Sequence, residues 1–206
     1  MLRRNSIIGV FLAFVIVIFT TVTSASGVLV NVPTADLTKD GRLTFGFRDI
    51  GKVGIAEVSW GVSPDVAAAV SIIKKGANPE TFNAGVKVKL VGEAQEYPAL
   101  SFGLSRESMY LVASKSLGLR APRIHAGIGQ GRVNGVFAGL SYVVNPVTIS
   151  SGDKSLSVPV AMVMGEYDGR SLNAGVRLVF SPRFDLDVYL VGMEELGWGL
   201  KFNTQF

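Results

Sequence analysis

The chain has 206 residues, a net charge of +4 from 20 Lys+Arg against 16 Asp+Glu, no cysteine and a single histidine, His125. That length suits one domain, the lack of cysteine excludes disulfides and thiolate metal sites, and so small and scattered a charge argues against nucleic acid as a partner. Charged residues make up 17% of the chain, below the usual quarter, while 24 glycines are spread along it, which suits strands that face something other than water on one side.

Residues 1–26 read as a secretory signal peptide. Met1-Leu2-Arg3-Arg4 is a basic start, Ile7 to Val22 is apolar, and Ser24-Ala25-Ser26 offers the small residues a signal peptidase needs. Cleavage is expected before Gly27. An uncleaved helix stays open as the alternative, because about 16 apolar residues approach the lower limit for spanning a bilayer. No later stretch is long enough for a membrane helix, so a membrane-resident chain must form a closed barrel. Residues 27–41 are read as a lead-in segment before the first strand, and residues 42–206 as the barrel.

From Arg42 onward the period of two characteristic of sheets takes over. Strands are predicted over about 42–49, 53–62, 66–74, 82–90, 98–104, 108–116, 123–130, 135–143, 157–167, 171–180, 184–191 and 197–206, the length that a tilted membrane strand requires. In the first, Leu43, Phe45 and Phe47 oppose Arg42, Thr44, Gly46 and Arg48. Residues 63–76 also carry helix signals, with Ser63 as a cap, Pro64 at the first position and Gly76 at the end; a helix there would reduce the count to about ten strands. The clearest alternation is Phe82, Ala84, Val86, Val88 and Leu90 against Asn83, Gly85, Lys87 and Lys89. Ile124, Ala126 and Ile128 face away from Arg123, His125 and Gly127, whereas Val158 to Tyr167 alternates poorly and its facing is ambiguous. The last strands set Leu172, Ala174 and Val176 against Asn173, Gly175 and Arg177, then Leu186 and Val188 against Asp185, Asp187 and Tyr189, then Trp198, Leu200, Phe202 and Phe206 against Gly199, Lys201, Asn203 and Gln205.

The fold class predicted is therefore all-β, a closed antiparallel outer-membrane β-barrel of about 12 strands, with a soluble secreted β-sandwich as the alternative. Three features favour the barrel. Inward glycines suit a narrow lumen crowded by long side chains. Aromatics at strand ends (Trp60, Tyr110, Tyr142, Phe180 and Trp198) suit interfacial girdles. Gly199, Phe202 and Phe206 resemble the C-terminal signal that the outer-membrane assembly machinery reads.

The chain resembles the YjbH-like family of outer-membrane proteins, associated with exopolysaccharide. The resemblance lies in Val30-Asn31-Val32-Pro33-Thr34-Ala35 followed by Gly41, in Pro98 to Leu104, in Tyr110 to Lys115, and in Gly165-Glu166-Tyr167-Asp168-Gly169 leading to Asn173-Ala174-Gly175-Val176-Arg177. It implies one short barrel unit of that longer family, acting as an accessory of surface-polysaccharide export.

No catalytic constellation stands out, since acyl or peptide chemistry needs a nucleophile with a histidine and a carboxylate and His125 has none beside it in sequence. No enzyme activity, metal or cofactor is expected. The lumen-lining candidates are Arg42, Arg48, Glu57, Lys87, Lys89, Arg123, His125, Arg177, Asp185, Asp187 and Lys201. Their basic excess would favour anions in an open lumen, either anionic polysaccharide or small anionic solutes, and a closed lumen would be a salt-bridged core. A structural or conduit barrel in the outer membrane of a diderm bacterium, in contact with its lipid, is the leading reading; a small anion-favouring porin is the second.

Overall fold

The computed structural model describes residues 27–118, 121–145 and 159–205; the proposed signal peptide, Phe206 and most of the connection from Asn145 to Ser157 lie outside them. Among the described residues twelve strands follow one another: β1 (Arg42–Ile50), β2 (Val53–Ser63), β3 (Val66–Lys75), β4 (Thr81–Val91), β5 (Ala99–Ser105), β6 (Ser108–Ser116), β7 (Arg123–Gly131), β8 (Gly135–Val143), β9 (Val160–Tyr167), β10 (Leu172–Ser181), β11 (Phe184–Val191) and β12 (Glu195–Gln205). Each pairs antiparallel with its neighbours in sequence. β1 returns to β12, from Arg42↔Gln205 to Ile50↔Gly197, and closes the barrel.

That closure overturns the sandwich alternative, because a single sheet joined to itself has no second sheet to pack upon. The helix alternative over 63–76 fails as well. Val66, Val70, Ile72 and Ile73 are β-branched, and the segment is hydrogen-bonded on both sides, to β2 and to β4. A helix there would strand two ladders' worth of backbone groups. The barrel accordingly keeps twelve strands rather than ten.

The period of two sorts side chains to the two sides of the wall. Phe45, Phe47, Ile72, Ile128, Val136 and Leu172 are exposed on the outer face, and Phe184 and Phe202 stack there at 5.1 Å. Trp60, Tyr142, Phe180 and Trp198 also face outward, but Tyr110 does not: only 3% exposed, it points into the lumen. Its placement in an aromatic girdle is thus corrected. The cause is across the sheet, where Gly103 leaves room for the ring; a Cβ on Gly103 would lie 2.1 Å from Tyr110 Cζ.

The two ends of the barrel differ. Where β1 begins and β12 ends, hereafter the terminal end, the chain makes its longer connections, 92–98, 117–122 and 144–159. At the opposite, turn end, the connections are 51–52, 76–80, 106–107, 132–134, 168–171 and 192–194. Residues 27–41 lie neither beside the barrel nor under it. They run inside.

Candidate functional site: the filled lumen

The lead-in segment folds as a hairpin within the barrel. Val28 and Pro33 pair antiparallel, Leu29 N donates to Val32 O at 2.9 Å, and Thr34 N donates to Gly27 O at 2.7 Å. The tip, Val30-Asn31, reaches the turn end, and the returning arm leads back to the terminal end, where Asp40 bridges Gly61. Leu29, Val30, Val32 and Ala35 are at most 3% exposed. Val32 and Ala35 pack with Tyr110, Val112 and Phe137 of the wall, and Leu29 and Val30 with Ile50, Met164 and Tyr189. Here the inner face of the barrel is apolar because it meets an apolar segment rather than water.

This packing explains the poor alternation of β9. Its inward positions, Met162 and Met164, serve the hairpin's apolar tip, while Val163 and Tyr167 face outward. Both faces are therefore apolar until Glu166. Gly139 is small for the same reason, since a Cβ there would stand 2.6 Å from Leu29 Cδ1.

Polar contacts tie the hairpin to the wall along its length. At the tip, the Glu166 carboxylate accepts three backbone N–H groups in succession, from Val30 (3.0 Å), Asn31 (2.7 Å) and Val32 (3.0 Å), and a fourth bond from Asn173 Nδ2 (2.9 Å). Arg48 donates to Val30 O at 2.8 Å. Asn31 donates to Asp168 at 3.3 Å and accepts from Arg132 at 3.2 Å. Asp168 lies in the turn after β9. Burial there favours its neutral acid, but backbone donors at Ser171 and Arg170 and the Asn173 and Asn31 amides outweigh burial and hold its pKa below the ordinary carboxylate value. The partner of Asn31 is thus an anion at neutral pH.

The returning arm is held by β4 to β7. Ala35 N donates to Ser114 Oγ and Ala35 O accepts from Ser101 Oγ, each at 2.7 Å. Ser114 Oγ also lies 2.7 Å from His125 Nδ1, and His125 Nε2 lies 3.4 Å from Ser141 Oγ. His125 and Ser114 are buried against the hairpin, and the serine oxygen is occupied by a backbone N–H; the pair positions Ala35. Lys87, fully buried, donates to Asp36 O at 2.7 Å and Gly27 O at 3.3 Å.

The predicted lumen residues fall into three groups. Lys87 and His125 lie against the hairpin. Lys89 and Arg123 lie at the terminal rim, where Lys89 bonds Pro64 O at 2.8 Å and Arg123 bridges Asp36 (2.8 Å) and Glu93. Arg42, Arg48, Glu57, Arg177, Asp185 and Lys201 line one cavity of about 240 Å³ between the hairpin and the wall formed by β1, β2 and β10–β12. Beneath it Asp187, with no exposed surface, receives Arg177 Nε at 2.7 Å, Lys201 Nζ at 2.9 Å and the Tyr189 hydroxyl at 2.5 Å. Gly199 faces inward beside Arg48 and Tyr189, and Phe202 faces outward. Glu166, Arg132, Ser101 and Ser114 are additions that alternation alone did not single out, and Asn173, which alternation puts on the polar face, joins the lumen residues as well. Among the described residues no group of three or more His, Asp or Glu is placed to hold a metal ion.

No family model matches the chain, and no curated protein matches it in sequence. Two of the solved structures that are similar in fold are the following. One is the outer membrane protein Omp33 of Acinetobacter baumannii, with a TM-score of 0.46 and 12% identity over 80% of this chain and 97% of that one. The other is described as the KdgM porin, with a TM-score of 0.46 and 10% identity over 80% of this chain and 99% of that one.

Proposed function

We propose that this chain resides in the outer membrane of a diderm bacterium and acts there as a small porin-like conduit, held closed by its own N-terminal hairpin. The outer face supports the location: a continuous apolar surface on a closed sheet is the form in which strands meet lipid, every backbone group being paired within the wall. The observation that carries the conduit reading is that β1 pairs directly with β12. The hairpin contributes no strand to the barrel, so it can leave the lumen without breaking the ladder. Polar bonds of the kind that tie it down exchange readily for bonds to water.

The polar cavity beside the hairpin is basic on balance, which suits passage of anionic solutes rather than cations. The YjbH-like resemblance supports a finer reading, in which the conduit is an accessory of exopolysaccharide export and the anion is an acidic sugar. We assign the chain no catalytic step, and its expected partners are outer-membrane lipid and the assembly machinery that inserts it.

Location is tested by fractionation. The protein should sediment with outer membranes and, after detergent extraction, migrate differently on a denaturing gel before and after boiling. Recovery in the soluble periplasmic fraction without detergent would overturn the membrane reading.

A further inference from the structure

Inward side chains crowd most of the lumen, but at one place the wall withdraws. On β1 and β12 the inward register runs Thr44↔Asn203, Gly46↔Lys201, Arg48↔Gly199. Gly46 thus stands where a side chain would otherwise project from the cavity wall. A Cβ on Gly46 would meet only Glu57, at 3.9 Å, so the space in front of it is open. Around that space stand Arg42, Arg48, Arg177 and Lys201, against the acids Glu57 and Asp185.

The acids do not balance these bases. Glu57 already feels Arg48, Arg132, Lys201 and Lys87. Asp185 lies under Lys201 and Arg177 and is hydrogen-bonded with Asn203. Arg177 and Lys201 converge on Asp187 from the cavity floor. Among the described residues Arg42 has no such counterpart: its Nε is buried and makes no hydrogen bond. A buried guanidinium donor without an acceptor is costly, and guanidinium geometry suits a carboxylate or a phosphate. A cation would instead have to enter a ring in which bases outnumber acids.

We infer that this cavity is a binding site for one small oxyanion, a carboxylate or phosphate group, seated before Gly46 between Arg42 and Lys201. The site rests on the conduit reading only in that the anion enters from the terminal end; occupancy itself requires no passage. A volume of about 240 Å³ admits a single small solute and excludes a polymer chain. Arg42, Lys39 and Asn203 line the cavity toward the terminal end, so the anion meets positive charge before it reaches Asp185.

Titration calorimetry of inorganic phosphate into the detergent-folded barrel, hairpin included, tests the site. One saturable site per barrel is expected. Gly46→Met, which fills the space without changing any charge, and Arg42→Gln, which keeps a hydrogen-bonding side chain but removes the cation, should each weaken binding at least about tenfold. Lys52→Gln at the turn end should leave it unchanged. Heat-modifiable migration verifies folding of each variant, and Gly46→Met alone decides the matter if Arg42→Gln does not fold. Absence of saturable binding, or full affinity retained in Gly46→Met, would overturn the inference. Because binding is read on the closed barrel, a hairpin-deleted protein that passes no current would defeat the conduit reading and leave this one standing.

Discussion

A barrel carrying Glu166→Ala should pass current in planar bilayers under conditions in which the unaltered protein is silent. Glu166 is the acceptor for three consecutive backbone N–H groups at the hairpin tip, and hydrogen bonds to a charged group each contribute about 1.5–3 kcal/mol. Its removal leaves the Val30 and Val32 donors buried, where an unmet N–H costs about 1–3 kcal/mol. In water the same groups are satisfied. The substitution therefore penalises the seated hairpin and not the displaced one, and a net change of about 3 kcal/mol raises the open population more than a hundredfold. The ladder of β9 with β8 and β10 is made by backbone groups, so the folded, heat-modifiable form should persist. Deleting residues 28–37 should produce the same opening without altering the wall. Current in both variants should favour anions, because Arg42, Arg48, Lys87, Arg123, Arg132, Arg177 and Lys201 outnumber Glu57, Glu166, Asp168, Asp185 and Asp187 along the pore. Silence in both would mean that the lumen is closed by more than the hairpin and that the conduit reading is wrong.

The second large effect is expected at Asp187. Its carboxylate has no exposed surface and lies between Arg177 and Lys201, with the Tyr189 hydroxyl on the same oxygen as Lys201. Removing one member of such a buried network leaves the others uncompensated, at about 3–5 kcal/mol. Asp187→Asn keeps the shape and removes the charge, so two cations would face each other across a neutral amide. The midpoint of urea unfolding in lipid vesicles, read by tryptophan fluorescence from Trp60 and Trp198, should fall accordingly. Asp187→Leu combined with Lys201→Met and Arg177→Met should recover part of that loss, since replacing a whole buried ion triad by packed apolar groups is close to neutral. Equal stability of Asp187→Asn and the unaltered barrel would mean that water, not the carboxylate, solvates these cations.

The barrel was legible because its signal is local and repeated. Phe82 to Leu90 alternates cleanly, and each residue's facing follows from the pleat; the same holds for Leu172 to Leu178. Turns such as Pro64-Asp65 and Pro182-Arg183 punctuate the runs. The filling of the lumen was not legible, because it depends on contacts far apart in sequence. Glu166 meets the hairpin across more than 130 residues, and nothing near Val28 to Val32 announces that partner. Signals were nonetheless present in aggregate. Tyr110, Phe137, Met162 and Met164 put large apolar groups where a water-filled lumen would have polar ones, and inward glycines such as Gly139 and Gly175 left room for something to approach the wall. The ambiguity of Val158 to Tyr167 was the local trace of that second apolar surface. The Val30 to Ala35 motif, which carries part of the family resemblance, belongs to the segment that occupies the lumen.

The central claim is that residues 27–40 lie within the barrel, and the lack of native cysteine allows a direct measurement. Ala35 N stands 2.7 Å from Ser114 Oγ, which brings the two residues within the roughly 4.4–6.8 Å Cα separation a disulfide needs. In the double variant Ala35→Cys/Ser114→Cys, oxidation of the membrane-inserted barrel should link the two positions. A thiol introduced at position 35 alone should resist a water-soluble maleimide until the barrel is unfolded. The pair Ala35→Cys/Leu140→Cys, with its second thiol on the outer face, should not link. Absence of the 35–114 bond in a folded barrel, together with rapid labelling at position 35, would place the segment outside the lumen and contradict the account.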